Sequence, residues 1–152
     1  MSMGHNILEK LSLATDGLLT ITRAGAFSVA GALKSISPTA GVGYGTGAGG
    51  AVTQITSAST GVTLNKVCGQ ITTVALTTAA AAEEVFTVTN SAVAAEDVIG
   101  LSTTYDGGGT PLLSVKAVAD GSFDVVITNV HATAALDALM VINFAVVKAV
   151  AA

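Results

Sequence analysis

An all-β fold, an antiparallel β-sandwich carrying an extended N-terminal arm, is what this sequence predicts, on three observations. Short runs rich in Val, Ile and Thr recur through residues 51–152, each bounded by turn formers. The stretch LLSVKAVADGSFDVVITN places alternating apolar residues on both sides of Asp120-Gly121, the pattern of a β-hairpin. No segment sustains a helical period, and the glycine-dense run at 41–50 forbids one there, because glycine loses the most backbone freedom on ordering. Jelly-roll and immunoglobulin-like topologies both stay open.

Residues 1–50 read as the arm and a Gly-rich strap. Asn6 to Leu13 could form a turn or two of helix, too short to stand alone. Leu19 and Ile21 alternate with Thr20 and Thr22, and Phe27 and Val29 repeat that signal weakly. Gly17, Gly25, Gly31 and Pro38 divide the region, so no piece builds a sheet of its own. A solvated tail rarely carries Ile7, Leu8, Leu11, Leu19, Ile21 and Phe27, so these side chains are expected to order against a partner. The strap adds Tyr44 to that expected interface. It also contains the letters GxGxxG from Gly45 to Gly50, but without the strand before and helix after that a phosphate-binding turn requires.

Residues 51–152 form the sandwich domain, with strands expected near 52–56, 61–65, 70–76, 84–90, 97–104, 112–119, 122–130 and 138–147. In the hairpin, Leu113, Val115, Ala117 and Ala119 are expected on one face, with Asp120-Gly121 in a type I′ turn. Asp106 to Gly109 reads as an exposed loop tip. The Ala-rich pieces 77–84 and 133–138 read as links with a helical turn. The last run is apolar on both faces: Met140, Ile142, Phe144 and Val146 on one, Val141, Ala145 and Val147 on the other. Such a strand is central in its sheet or lies against another subunit, which makes Val141 and Val147 interface candidates.

Two segments resemble each other. FTVTNSAVAAEDVIGL and VVITNVHATAALDALMVI each run strand, Thr-Asn, Ala-rich link, then an Asp opening a new strand. They are expected to be two similar corners, each passing the chain between strands.

Charge narrows the partners. Only 11% of residues are charged and 51% are hydrophobic, with a net charge of −4, whereas soluble proteins carry about a quarter charged residues. Much of the surface is therefore expected to be covered by further copies or another protein. The six Lys and Arg stand singly, so no basic patch exists for nucleic-acid phosphates. The most apolar run, 138–147, contains Asn143 and is far shorter than the about twenty residues of a membrane helix. No targeting segment stands out, which points to synthesis in the cytoplasm. Cys68 is alone and is expected to be a small buried apolar residue.

No chemistry-bearing constellation emerges, so neither catalysis nor a cofactor or metal is expected. His5, His131 and Cys68 lack the spacings of a zinc site. Glu83-Glu84 and Glu96-Asp97 are sequence neighbours, which on a strand point to opposite faces rather than converging on a substrate.

The pieces GVGYGTGAGGAVTQITSASTGVTLNKVCGQIT, FTVTNSAVAAEDV and NFAVVKAVAA together resemble small structural proteins of tailed bacteriophages, over residues 41–152. The resemblance implies a virion part without catalysis, a homotrimer on the capsid surface that contacts the major capsid protein. A head decoration or cement protein, made in the bacterial host cytoplasm, would use its arm and underside to cover joints between capsid subunits. The alternative is a head or tail fibre module binding a host receptor or glycan, for which Tyr105 beside Asp106-Gly107 is the candidate contact.

Overall fold

The computed structural model describes residues 32–39 and 41–151. The chain divides into two compact units, Met1–Val42 and Gly43–Ala152. The described residues of the first contain no strand or helix. The arm candidates Ile7, Leu8, Leu11, Leu19, Ile21 and Phe27 lie outside the described residues.

The second unit is an eight-stranded β-sandwich: β1 (Gly49–Thr53), β2 (Val62–Thr63), β3 (Cys68–Thr72), β4 (Glu83–Thr89), β5 (Val98–Tyr105), β6 (Pro111–Ala119), β7 (Ser122–Asn129) and β8 (Met140–Val147). One sheet has the order β1-β3-β8-β5 and the other β2-β4-β7-β6. Both sheets are mixed, because β1 runs parallel to β3 and β2 parallel to β4, while all other pairs are antiparallel. Each expected strand is present, and β8 is central as its two apolar faces require. The Ala-rich links contain bends and turns, and no helix occurs among the described residues.

The core lies between the sheets. Phe86, Val88, Phe123, Val125 and Ile127 from one sheet meet Ile71, Met140, Ile142, Phe144 and Val146 from the other. The rings of Phe123 and Phe144 pack with centroids 5.7 Å apart, tilted by 57°, the offset geometry aromatic quadrupoles favour. Leu76, just before the first Ala-rich link, and Leu136, within the second, close the core at 0% exposure.

The hairpin departs from its expected details. Asp120-Gly121 does join β6 to β7, but only Gly121 has positive φ, 81°, so the turn is not type I′, which needs both central residues there. The pairing slips between Lys116 and Ala119, leaving Ala117 and Val118 opposite Phe123. This β-bulge, with Ala117 at φ 51°, reverses the side-chain alternation. Val118 therefore packs on the core with Leu113 and Val115, in the place expected of Ala117.

The strap enters the sheet earlier than expected, with Gly49 and Gly50 already in β1. Gly50 sits opposite Gly69 of β3, and the Leu64 side chain covers both. A Cβ on Gly69 would lie 2.7 Å from a Leu64 methyl and 2.8 Å from the Gly50 carbonyl oxygen. Gly43, in contrast, faces open space. Gly69→Ala is expected to lower the unfolding free energy by about 1–3 kcal/mol, the usual cost of overpacking, with Gly43→Ala unchanged, as read by denaturant titration of both variants.

Candidate functional site

The two sheets differ on their outer faces. In the first, the outward positions form cross-strand rows: Gly49, Cys68, Ala145 and Gly100; then Ala51, Gln70, Asn143 and Ser102; then Thr53, Thr72, Val141 and Thr104. Val98 and Val147 form a further pair at one end, each 59% exposed. None of these residues is charged. Gln70 donates across the strands to Asn143 at 3.0 Å, so even the central amides are turned toward each other. In the second sheet the corresponding face carries Lys116, Asp124 and Glu83, with Thr87 donating to Asp124 at 2.7 Å. The first face is thus uncharged and made of mostly small side chains, whereas the second sets its charges beside Val85, Val126 and Leu112.

The expected interface residues divide accordingly. Val141 is half-buried and Val147 exposed, both on the uncharged face. Cys68 is half-buried on the same face rather than buried in the core. Tyr44 is 46% exposed, and its hydroxyl donates to the Val146 carbonyl, tying the strap to the end of β8.

The two similar segments are indeed corners, and each carries the chain from the second sheet to the first. Asn90 and Asn129, both 0% exposed, begin them. Each side-chain oxygen accepts an N–H two residues on, from Ala92 at 3.0 Å and His131 at 3.1 Å. The Asn90 amide donates to the Lys66 carbonyl at 2.7 Å, and that of Asn129 to the carbonyls of Thr78, Ala79 and Ala134 at 3.2, 3.1 and 2.8 Å. Because β4 pairs with β7 and β5 with β8, all antiparallel, the two strand–corner–strand units are related by an approximate two-fold axis through the sandwich.

Each corner ends on an Asp that grips the end of the neighbouring strand. The fully buried Asp97 carboxylate accepts from Lys148, just past β8, and from the N–H groups of Ala94 at 2.7 Å and Ala149 at 3.2 Å. Lys148 and the Ala94 amide hold its pKa below the usual carboxylate range. At the other corner Asp137 accepts from the Gly108 N–H at 2.6 Å, while its own N–H donates to the Tyr105 hydroxyl at 2.8 Å.

That arrangement overturns the exposed tip for its three glycines, while Asp106 is exposed as expected. Gly107, Gly108 and Gly109 are half-buried against the link before β8, where a Cβ on Gly107 would lie 2.5 Å from an Asp137 oxygen. Tyr105 is likewise half-buried, its hydroxyl donating to the Gly108 carbonyl at 2.7 Å. It serves as a corner pin rather than a free contact.

The remaining candidates stay apart. His131 Nδ1 accepts the N–H groups of Thr133 at 3.1 Å and Ala134 at 2.8 Å, which makes it a loop brace. Among the described residues no three His, Cys, Asp or Glu side chains gather where a metal could sit. A groove of about 450 Å³ runs beside Thr56, Ser57, Val74 and Thr77, with Glu84 as its one titratable lining residue. A single carboxylate among hydroxyls is no acid–base pair. No family model, curated protein or solved structure matches the chain.

Two outcomes follow from the corners. Asn129→Ala is expected to cost several kcal/mol, at about 1–3 kcal/mol for each buried partner left unsatisfied, and more than Asn90→Ala, in denaturant titrations. For Asp97 the sign follows from its lowered pKa: its contribution is present at neutral pH and is lost as pH falls through the folded-state value, below the ordinary carboxylate range. Asp97→Asn is therefore expected to be less stable than the parent at neutral pH, with the two thermal midpoints converging in acid.

Proposed function

We propose that this chain is a structural component of a bacteriophage virion, a capsid decoration protein that stabilises the head by covering joints between capsid subunits. The observation that carries the reading is the uncharged outer face of the first sheet. Its rows from β1 to β5 hold only Gly, Ala, Cys, Ser, Thr, Val, Asn and Gln, whereas the opposite sheet keeps Lys116, Asp124 and Glu83 toward solvent. A face without ionised groups carries no large desolvation penalty when covered, and small side chains let another backbone approach closely. Apolar area removed from water contributes about 25 cal/mol per Å², before association costs, and the gain repeats at each copy around a shell. The sequence resemblance to phage structural proteins points the same way, and names the major capsid protein and further copies of the chain as partners.

The fibre-module alternative loses its contact residue, because Tyr105 is engaged within its own corner. The test is made on particles of the encoding virus. Heads lacking the chain are expected to release DNA at lower temperature, and added purified chain to restore them. Gln70→Lys, which puts a charge at the centre of the uncharged face, is expected to keep its fold and fail to restore. Unchanged thermal stability together with lost adsorption to host cells would sink the decoration reading.

A further inference from the structure

We infer that β5 is a pairing edge for a second copy of this chain, the two β5 strands running antiparallel with Ser102 opposite its own counterpart. Four strands lie at sheet edges, β1, β5, β2 and β6. Sheet edges present unpaired N–H and C=O groups, and proteins guard them with short strands, Pro, Lys or bulges. β2 has only 2 residues and β1 only 5, with two glycines. β6 starts at Pro111, carries Lys116 and is bulged at Ala117 and Val118. β5, VIGLSTTY, has 8 residues with no charge, no proline and an unbroken register against β8.

The free groups of β5 can be assigned. The Val146 N–H donates to the Val67 carbonyl, and the Met140 carbonyl accepts from the Thr73 N–H, so both residues turn their peptide groups toward β3. Their antiparallel partners in β5, Ile99 and Tyr105, therefore turn theirs away from β8, as do Leu101 and Thr103 between them. Four consecutive outward-facing sites result.

The approximate two-fold axis relates the four central strands and not the outer ones, since β6 runs antiparallel to β7 but β2 parallel to β4. It exchanges β8 with β5, and on its far side β8 has an antiparallel neighbour, β3. The equivalent place beside β5 is filled by no strand among the described residues. An antiparallel strand fits that place, and β5 of another copy supplies one that is self-complementary. Setting Ser102 on the new two-fold axis pairs Ile99 with Tyr105 and Leu101 with Thr103, so all four outward-facing residues find partners. On the outer face Gly100 then meets Thr104. No like charges meet along these pairs, and the β-branched Ile99 faces the aromatic Tyr105, a combination cross-strand pairs favour. The contact is two-fold, so in a shell of trimers it links one trimer to the next. It stands whether or not the sheet's outer face meets a capsid.

The full chain with Cys68→Ser and Ser102→Cys tests the register. Residues opposite each other at a non-hydrogen-bonded site have Cβ atoms close enough for a disulfide. Mild oxidation in solution is expected to convert most of the chain into a cross-linked dimer on a non-reducing denaturing gel, reversed by thiol. Thr103→Pro removes an N–H that β8 does not use, and Ser102→Glu places two like charges across the axis. Each is expected to halve the light-scattering mass relative to the parent while the far-UV circular dichroism stays the same. The inference is overturned if no cross-link forms and neither variant changes the mass. It is equally overturned if the mass falls without cross-linking at residue 102, since another segment would then occupy the edge.

Discussion

Carrying a backbone across the gap between two packed sheets is the constraint on which this fold depends. The peptide groups at such a crossing leave both ladders, and those packed around the buried side chains of Asn90 and Asn129 need partners within the protein. Asn90 and Asn129 supply those partners. Their amides reach carbonyls on neighbouring segments, and their oxygens hold the first N–H groups of the link. An apolar residue at either site would strand several polar groups, and a charged one would add a desolvation penalty.

With the crossings held, the apolar side chains have only one arrangement to fill. β4 and β7 present Phe86, Phe123 and Ile127 inward, and β8 answers with Ile142 and Phe144. What remains outside is divided unevenly: the second sheet keeps the outward charges, and the first keeps almost nothing but small neutral side chains. This division answers the question raised by the low charge content. Among the described residues of the sandwich, the scarcity of ionised groups is concentrated on one face and one edge.

Legibility in the sequence followed the range of the interactions. Alternation in MVINFAVV and in the hairpin flanks marks strands because neighbouring side chains decide which face is buried. The Thr-Asn repeats marked the corners for the same local reason. Hidden features depend on residues far apart in the chain. That Gly69 must lack a Cβ follows from Leu64 and Phe144, and that Gly107 is not a free tip follows from Asp137. The parallel placement of β1 beside β3 and of β2 beside β4 joins segments whose own letters show only that each is a strand. The bulge at Ala117 could not be read because its letters fit unbroken alternation, yet it exchanges Ala117 for Val118 in the core. The uncharged face was legible only as a composition, since its rows are assembled from four separate segments.

The paired corners also say something about economy of construction. A strand–corner–strand module that packs on its own duplicate has a surface complementary to itself, with β4 seeking β7 and β5 seeking β8. Cutting this protein between the modules, within the turn that follows Tyr105, would therefore leave two fragments that carry instructions for finding each other.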